Sequence, residues 1–231
     1  MSYMLNHTKN RHLLMRGRGK TLFVLCLALM MVSCQKDVEG PSGDASSSAS
    51  LRVNIGEDIR TLDPRKADGP LVCNIMRMLY EGLTRISDDG EYSYALAEKV
   101  SCYDDGRRYT FTLRDTLWSD GTPVTAYDFE YAWKSALEPS FPSGDAEMLY
   151  VLRNGRRVKS GEIESAALGV VARDAKTLDI ELEEPSSSFL HMVAHPVFFP
   201  VCKARYGSDA AVLYTDQRNG RYVTNGPFVL R

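Results

Sequence analysis

The chain has 231 residues, of which 44% are hydrophobic and 25% are charged, and this composition is sufficient for a folded core. Its formal charge is −2, and it is −7 from Cys34 onward, where there are 23 basic and 30 acidic residues. Such a charge argues against nucleic acid or an anionic membrane surface as a partner.

The N-terminal 33 residues are arranged like a secretory signal. Five basic residues and no acidic ones precede an apolar run over residues 22–32. At ~1.5 Å per residue, this run is too short for a permanent helix across ~30 Å of hydrocarbon. Ser33 and Cys34 follow, and the segment resembles the lipobox of bacterial lipoproteins, with departures at the two positions before Ser33. We predict a signal peptide over residues 1–33 and lipid attachment to Cys34; an ordinary signal with an incidental cysteine is the alternative, and Met15 is a second compatible start.

Residues 34–50 are rich in Gly and Ser and contain no large apolar residue after Val38. A segment of this composition cannot bury enough apolar surface to offset its ordering entropy. We predict that it is a flexible tether between the anchored Cys34 and the folded part of the chain.

The patterns that would indicate metal binding, redox chemistry or catalysis are weak. Cys73, Cys102 and Cys202 include no C-x-x-C pair, and although export permits a disulfide, no spacing implies one. His191 and His195 are spaced to share a helical face, but the Glu of a His-Glu-x-x-His zinc helix is absent. The sequence has no G-x-S-x-G and no G-x-x-x-x-G-K-[ST] motif. We expect no catalytic residue, no metal and no cofactor.

The first part of the body is predicted to contain one strand, one helix and two turns. Residues 51–55 alternate between apolar and polar, as in a half-buried strand. Apolar residues recur at helical spacing over residues 71–80, and Gly82 is placed for a left-handed C-cap. Asp-Asp-Gly at residues 88–90 and 104–106 predicts hairpin turns, because a calcium loop would need alternating ligands that are missing.

A strand, a turn and a helix are predicted in succession over residues 109–139. Residues 109–114 alternate as a strand, and Gly121 supplies a turn. Thr125 can cap the following helix, with Asp128 in its first turn. One face of this helix is apolar, and it consists of Ala126, Phe129, Trp133 and Ala136. Pro139 ends the helix.

Further along, residues 141–157 are predicted to be a polar loop region with an apolar cluster at residues 148–152. Two strands are expected over residues 170–172 and 178–182, joined by a hairpin turn. A short helix that ends at Pro196 follows them.

Residues 113–139 contain LRxxxWSDGTPVTAxDFxYxWKxALxP, and this run resembles the central signature of family 5 extracytoplasmic solute-binding proteins, the peptide/nickel type. Shorter matches are TLDP at 61–64, YEGL at 80–83, GVxAxDxxTLxxxL at 169–182 and a GTGPYxL-like motif at 222–230, which also alternates as a strand. In the family this last motif lies near the middle of much longer chains. The resemblance therefore covers the first half or less of a family member.

The resemblance implies an α+β (mixed α/β) fold of the class II periplasmic-binding-protein type, consisting of a truncated first lobe with an inserted small domain. Residues 51–81 and 203–231 would form part of lobe I. Residues 82–202 would form the inserted domain, and the second lobe would be absent.

The resemblance also implies a function. Family members include the oligopeptide- and dipeptide-binding components of ABC importers, which capture peptides at the periplasmic or extracytoplasmic face and deliver them to permease subunits. We therefore expect a non-enzymatic lipoprotein, anchored to the membrane through Cys34, that binds oligopeptides. Nickel, a sugar or a glutathione-like molecule is an alternative ligand, and a truncated surface lipoprotein without a role in transport is an alternative function.

Ligand-facing residues can be carried over only for the lobe that is present. Asp68, Gly69 and Pro70 match the family's loop at the mouth of the cleft, where Asp68 would add negative potential near a peptide amine. A solvated turn is the alternative at this position. Tyr150 and His195 are weaker candidates by similar placement. Because the family clamps its ligand between two lobes, this chain alone is expected to bind peptides weakly.

Overall fold

The structure is a computed structural model that describes residues 51–54, 56, 59–207, 216, 219 and 221–230. The predicted signal peptide, lipidation site and tether lie outside the described residues. Residues 54–231 form one unit, which is described here by itself. Among the described residues, no helix has the length and apolar character needed to cross a membrane.

The described residues form a mixed arrangement of helices and two antiparallel sheets, as predicted. The helices are α1 (Gly69–Leu79), α2 (Ala126–Ala136), α3 (Gly155–Lys159), α4 (Phe189–Met192) and α5 (Lys203–Tyr206). Short 3-10 helices cover Pro64–Lys66, Asp104–Gly106, Ala146–Val151, Ser165–Ala167 and Pro196–Phe198. The strands are β1 (Thr84–Ile86), β2 (Tyr92–Tyr94), β3 (Ala97–Tyr103), β4 (Arg108–Leu113), β5 (Val170–Ala172) and β6 (Thr177–Glu181). β1 pairs with β2, and the larger sheet has the order β3-β4-β6-β5.

The larger sheet buries one face because its central strands alternate. In β4, Tyr109, Phe111 and Leu113 are buried while the intervening residues are more exposed. Phe111 lies opposite Leu178 of β6, and Tyr109 lies opposite Ile180. The predicted strand over residues 109–114 is therefore confirmed, and so are the two strands joined by a hairpin turn that become β5 and β6.

Helix α2 carries the largest buried side chain. Trp133 is fully buried, and its indole N–H donates to the carbonyl oxygen of Phe198 over 2.9 Å. Its ring meets that of Phe198 edge-on, with centroids 5.4 Å apart, and meets Phe129 in the same way at 6.3 Å. The predicted apolar face of this helix is thus buried in the hydrophobic core.

Asp128 fixes the start of α2, as predicted, but through more contacts than a capping pattern reveals. Its Oδ2 accepts from the Thr125 amide at 2.7 Å and from the Thr125 hydroxyl at 2.9 Å. Its Oδ1 accepts from the Lys203 amide at 2.7 Å, which ties α2 to the start of α5. Burial raises the pKa of Asp128 above its usual value, while the hydrogen bonds from Lys203 and Thr125 oppose that rise.

A buried ion pair joins the first 3-10 helix to α2. The Arg65 guanidinium donates to both carboxylate oxygens of Asp63, at 2.9 and 2.7 Å, and Nη1 donates to the Ser135 hydroxyl at 2.7 Å. The guanidinium also lies over the Phe141 ring, 4.7 Å from its centroid. Burial alone lowers the pKa of Arg65, but the hydrogen bond and the charge of Asp63 outweigh it and raise that pKa.

Two predicted strands are absent from the described residues, for the same physical reason. Residues 51–54 have no regular structure, and Leu51 and Val53 are exposed. Residues 221–230 also contain no strand, and they bind instead to the last turn of α1. A strand exists only when another strand pairs with it, and an alternating sequence specifies a face without specifying a partner.

The segment 221–230 satisfies carbonyl groups that the end of α1 leaves without intrahelical partners. The Gly226 amide donates to the Leu79 carbonyl at 2.9 Å, and the Phe228 amide donates to the Met78 carbonyl at 3.1 Å. A Cβ at Gly226 would lie 2.5 Å from the carbonyl carbon of Leu79. This close approach explains a glycine here without any need for a left-handed backbone.

Gly82 is not the left-handed C-cap that the sequence predicts. Helix α1 ends at Leu79 with Tyr80 as an extended C-cap residue, and Gly82 lies beyond it without a positive φ. A Cβ at Gly82 would lie 2.7 Å from the ring of Phe199. The position therefore needs a glycine for packing space and not for backbone conformation.

Of the other loop predictions, the two turns are confirmed and the long polar loop is only partly confirmed. The turns at residues 88–90 and 104–106 join β1 to β2 and β3 to β4, as predicted. Residues 141–157 are less loop-like than expected, since they contain the 3-10 helix Ala146–Val151 and the start of α3. Buried Ala146, Leu149 and Leu152 explain this order, because their packing outweighs the polar character of the segment.

Candidate ligand-binding site

The N-terminal end of α1 is exposed, and it holds three of the sequence-predicted site residues. Asp68 is the N-cap residue, but its side chain makes no capping hydrogen bond. Gly69 has a φ of +79°, which an L side chain rarely adopts, and Pro70 occupies the first turn. All three residues are exposed, so the carboxylate and the first turn of α1 form an accessible edge.

The loop at residues 143–145 lies directly against this edge. A Cβ at Gly144 would be 3.3 Å from the Cβ of Asp68 and 3.6 Å from the carbonyl oxygen of Ala67. The glycine therefore allows the loop to approach the helix start closely. This approach places Asp145 near α1, although 76 positions separate it from Gly69 in the sequence.

Three side chains converge beside this edge. The Nε2 atom of His195 lies 3.7 Å from Oδ2 of Asp145 and 3.9 Å from Sγ of Cys73. Their potential ligand atoms all lie within 4.8 Å of one another. We call Cys73, Asp145 and His195 the convergent cluster.

The electrostatics of the convergent cluster follow from burial. Burial lowers the pKa of His195, and the charge of Asp145 opposes that change. Burial also raises the pKa of the Cys73 thiol, and the charges of Asp145 and Asp68 raise it further. The Nδ1 atom of His195 accepts from the Val197 amide at 3.4 Å, so in the neutral ring the proton is on Nε2.

His191 and Tyr150 are not part of the convergent cluster. His191 packs edge-on against Tyr92, with ring centroids 5.0 Å apart, and its Nε2 faces Glu91 at 3.6 Å. Helix α4 ends at Met192, so His191 and His195 do not share one helical face. Tyr150 is half-buried, and the Arg156 guanidinium lies over its ring, 4.8 Å from the ring centroid.

Sequence reasoning missed two members of the cluster. Cys73 falls within the helical periodicity of residues 71–80 and is buried on α1, and Asp145 is one acid within the predicted polar loop region. No local spacing links the two residues with His195, because they come from three separate segments. Only the approach of the 143–145 loop to α1 brings them together.

A separate cavity of about 520 Å³ lies on the outer face of the larger sheet. Arg108, Arg153 and Arg173 line it, and each forms an ion pair, with Asp104, Glu181 and Asp179 respectively. The charges at this cavity are therefore already balanced by neighbouring carboxylates. None of the predicted site residues lines it.

Comparison with known proteins decides the family. The family model described as "Bacterial extracellular solute-binding proteins, family 5 Middle" matches residues 91–231, which is more than half of the chain. The chain belongs to this family. Its members are extracellular or periplasmic binding proteins and not enzymes, which agrees with the resemblance of residues 113–139.

The curated relatives in family 5 include several peptide-binding proteins. The oligopeptide-binding protein OppA of Bacillus subtilis is 34% identical over 210 residues, covering 89% of this chain and 38% of its own length. The murein peptide-binding protein MppA of Escherichia coli is 36% identical over 214 residues, covering 90% of this chain and 39% of its own length. The probable deoxycholate-binding protein YgiS of Escherichia coli is 37% identical over 186 residues, covering 78% of this chain and 34% of its own length.

The fold agrees with solved family 5 structures. Listeria monocytogenes OppA bound to peptide matches with a TM-score of 0.69 and 30% identity, covering 74% of this chain and 33% of that chain. The unliganded open form of MppA matches with a TM-score of 0.68 and 37% identity, with the same coverage. The periplasmic-binding-protein fold is thus confirmed, and the chain spans about two fifths of the length of the curated relatives.

Proposed function

We propose that this chain forms part of a peptide-binding component of an ABC importer, which captures oligopeptides outside the cytoplasmic membrane and delivers them to permease subunits. The observation that supports this most strongly is the 34–36% identity to OppA and MppA over about nine tenths of the chain. Within this proposal, residues 51–81 and 203–231 belong to lobe I, and residues 82–202 form the inserted small domain.

The proposed ligand contacts lie at the exposed start of α1. The carboxylate of Asp68 has no capping partner and is open to solvent, so it can attract the ammonium group of a peptide. Gly69 and Pro70 expose backbone groups beside it, and main-chain pairing binds peptides with little dependence on their sequence. His195 lies next to this edge, whereas Tyr150 is held by Arg156 and would contribute less.

A chimera tests the function. Residues 51–231 would replace the corresponding part of Escherichia coli MppA, so that the rest of that relative supplies the second half of the binding site. We expect the chimera to bind a tripeptide with micromolar affinity in calorimetry. We expect the isolated chain to bind it only in the millimolar range, because losing one charge-assisted contact alone costs ~1.5–3 kcal/mol.

Two variants of the chimera locate the contact. Asp68→Asn should weaken binding by about tenfold, which corresponds to ~1.4 kcal/mol. Tyr150→Phe keeps the ring that carries Arg156 and should change the affinity little. A folded chimera that binds no peptide would contradict the proposed function. Equal affinities for the chimera, its Asp68→Asn variant and its Tyr150→Phe variant would show that Asp68 does not contact the ligand.

A second candidate ligand class comes from the similarity to YgiS, whose name gives deoxycholate as its ligand. The same chimera distinguishes the two classes when it is titrated with deoxycholate. Micromolar binding of deoxycholate without binding of tripeptide would favour the bile acid.

The predicted lipid anchor is tested at the N-terminus of the 231-residue chain. Because the basic start and short apolar run lead to Ser33 and Cys34, Cys34→Ala should move the protein from the detergent phase to the aqueous phase in a detergent-partition assay. Cys26→Ala, within the same apolar run, is the matched control and should leave the partition unchanged. If wild type and Cys34→Ala partition alike, the lipoprotein proposal is wrong.

A further inference from the structure

We propose that Cys73, Asp145 and His195 form a binding site for a divalent cation of the Zn²⁺ class. This site lies beside the edge proposed for the peptide and includes His195 of that edge, but it does not depend on that function. It departs from the sequence-based expectation that the chain has no metal site. The argument rests on the geometry of the convergent cluster.

The distances within the cluster suit a small cation. In tetrahedral zinc sites, Zn–S is about 2.3 Å and Zn–N about 2.0–2.1 Å, which places neighbouring ligand atoms roughly 3.3–3.8 Å apart. The observed separations from His195 Nε2 are 3.9 Å to Sγ of Cys73 and 3.7 Å to Oδ2 of Asp145. The third separation, between Sγ of Cys73 and the Asp145 carboxylate, is within 4.8 Å, so the two side chains must approach each other by roughly 1 Å at most to share an ion. Thiolate, imidazole and carboxylate are all established zinc ligands.

The three polar groups of the convergent cluster face one another, and this arrangement differs from that of a proton relay. In a nucleophile–histidine–acid relay, the carboxylate binds the ring nitrogen opposite the one that faces the nucleophile. Here Sγ of Cys73 and Oδ2 of Asp145 both face Nε2 of His195. The single proton on Nε2 can form a hydrogen bond to only one of these two partners. A cation can instead be coordinated by the thiolate, the carboxylate and the imidazole together. Since burial also raises the pKa of Cys73, the thiol is a poor nucleophile until a cation displaces its proton.

The site is reachable and can hold a further ligand. Cys73 is buried at the base, while the side chains of Asp145 and His195 are 30% and 22% exposed. Three protein ligands with one open side leave a fourth position for water or a ligand group, as in zinc sites that exchange a ligand. Asp145 adds negative potential at Cys73, Arg77 partly opposes it, and Asp68 adds a smaller negative contribution.

Cation binding has a defined proton balance. The Cys73 thiol loses its proton to solvent and becomes a thiolate, and Asp145 binds as the carboxylate. The proton on Nε2 of His195 must move to Nδ1, which ends the 3.4 Å hydrogen bond from the Val197 amide. Binding therefore releases one proton and changes the tautomer of His195. Both changes can be measured independently of any transport activity.

Titration of the purified 231-residue chain with Co²⁺ tests the site. We expect one equivalent of Co²⁺ to produce a near-ultraviolet thiolate-to-cobalt charge-transfer band, and Zn²⁺ to abolish it by displacement. Zn²⁺ should also release about one proton per site and shift the His195 ring nitrogen signals in long-range ¹H–¹⁵N NMR spectra. Cys73→Ser, Asp145→Asn and His195→Gln should each weaken binding by at least about tenfold, as seen even for residues that only support metal ligands.

Matched variants separate this site from other thiols and histidines in the chain. Cys202→Ser, Cys102→Ser and His191→Gln should retain the cobalt band, as should a double variant of Cys26→Ala and Cys34→Ala. A missing band in the folded wild-type chain, or one that persists in Cys73→Ser, would overturn the proposal. Circular dichroism of each variant checks its fold. Asp145→Asn changes a partly exposed residue, so it remains informative if Cys73→Ser does not fold.

Discussion

Asp63→Ala is expected to lower the free energy of unfolding by about 3–5 kcal/mol, because it leaves the buried charge of Arg65 without its partner. The two side chains are 3% and 2% exposed, so water cannot replace the lost carboxylate. The Arg65 amide would also lose its acceptor, since it donates to Oδ1 of Asp63 at 3.1 Å. Urea unfolding of the purified chain, followed by far-ultraviolet circular dichroism, measures the change.

A double-mutant cycle shows that the effect comes from the buried pair. Adding Arg65→Met to Asp63→Ala should recover part of the loss, because the uncompensated charge is then removed as well. The matched control is Asp104→Ala, which breaks an ion pair with Arg108 whose side chains are both more than half exposed. Exposed pairs contribute little to stability, because water and dissolved salt screen their charges. Equal losses for the buried and exposed pairs would contradict the structural role assigned to Asp63.

Trp133→Ala is expected to cost about 3–5 kcal/mol, as other large-to-small changes in protein cores do. The side chain is fully buried between Phe129 and Phe198, so its removal leaves a cavity that rigid neighbouring rings cannot fill. A domain of this kind has a total stability of about 5–15 kcal/mol, so the variant should unfold at a much lower urea concentration or aggregate.

Two variants separate packing from hydrogen bonding at this position. Trp133→Phe keeps an aromatic ring but leaves the Phe198 carbonyl without the indole N–H, and it should cost about 1–3 kcal/mol. Tyr127→Ala, on the exposed side of the same helix, should change stability by less than either substitution of Trp133. A Trp133→Ala protein that melts within a few degrees of wild type would show that the residue is not part of the core.

The sequence by itself determined the local units and the family. The β4 strand, the turn at Gly121 and the helix α2 were predictable because alternation, turn chemistry and a first-turn acid act between residues that are close in sequence. The ordered motif over residues 113–139 was sufficient to indicate the family and the fold class. These signals do not depend on which distant segment packs against them.

The tertiary structure decided the features that depend on a partner far away in the chain. The alternating residues at 51–54 and 221–230 form no strand, because pairing needs a neighbour that the pattern does not name. Gly82 is required by the ring of Phe199, which lies 117 positions later in the sequence. Cys73, Asp145 and His195 converge only because the 143–145 loop packs against the start of α1. Packing between distant segments brings these residues together, and such contacts cannot be predicted from composition or periodicity.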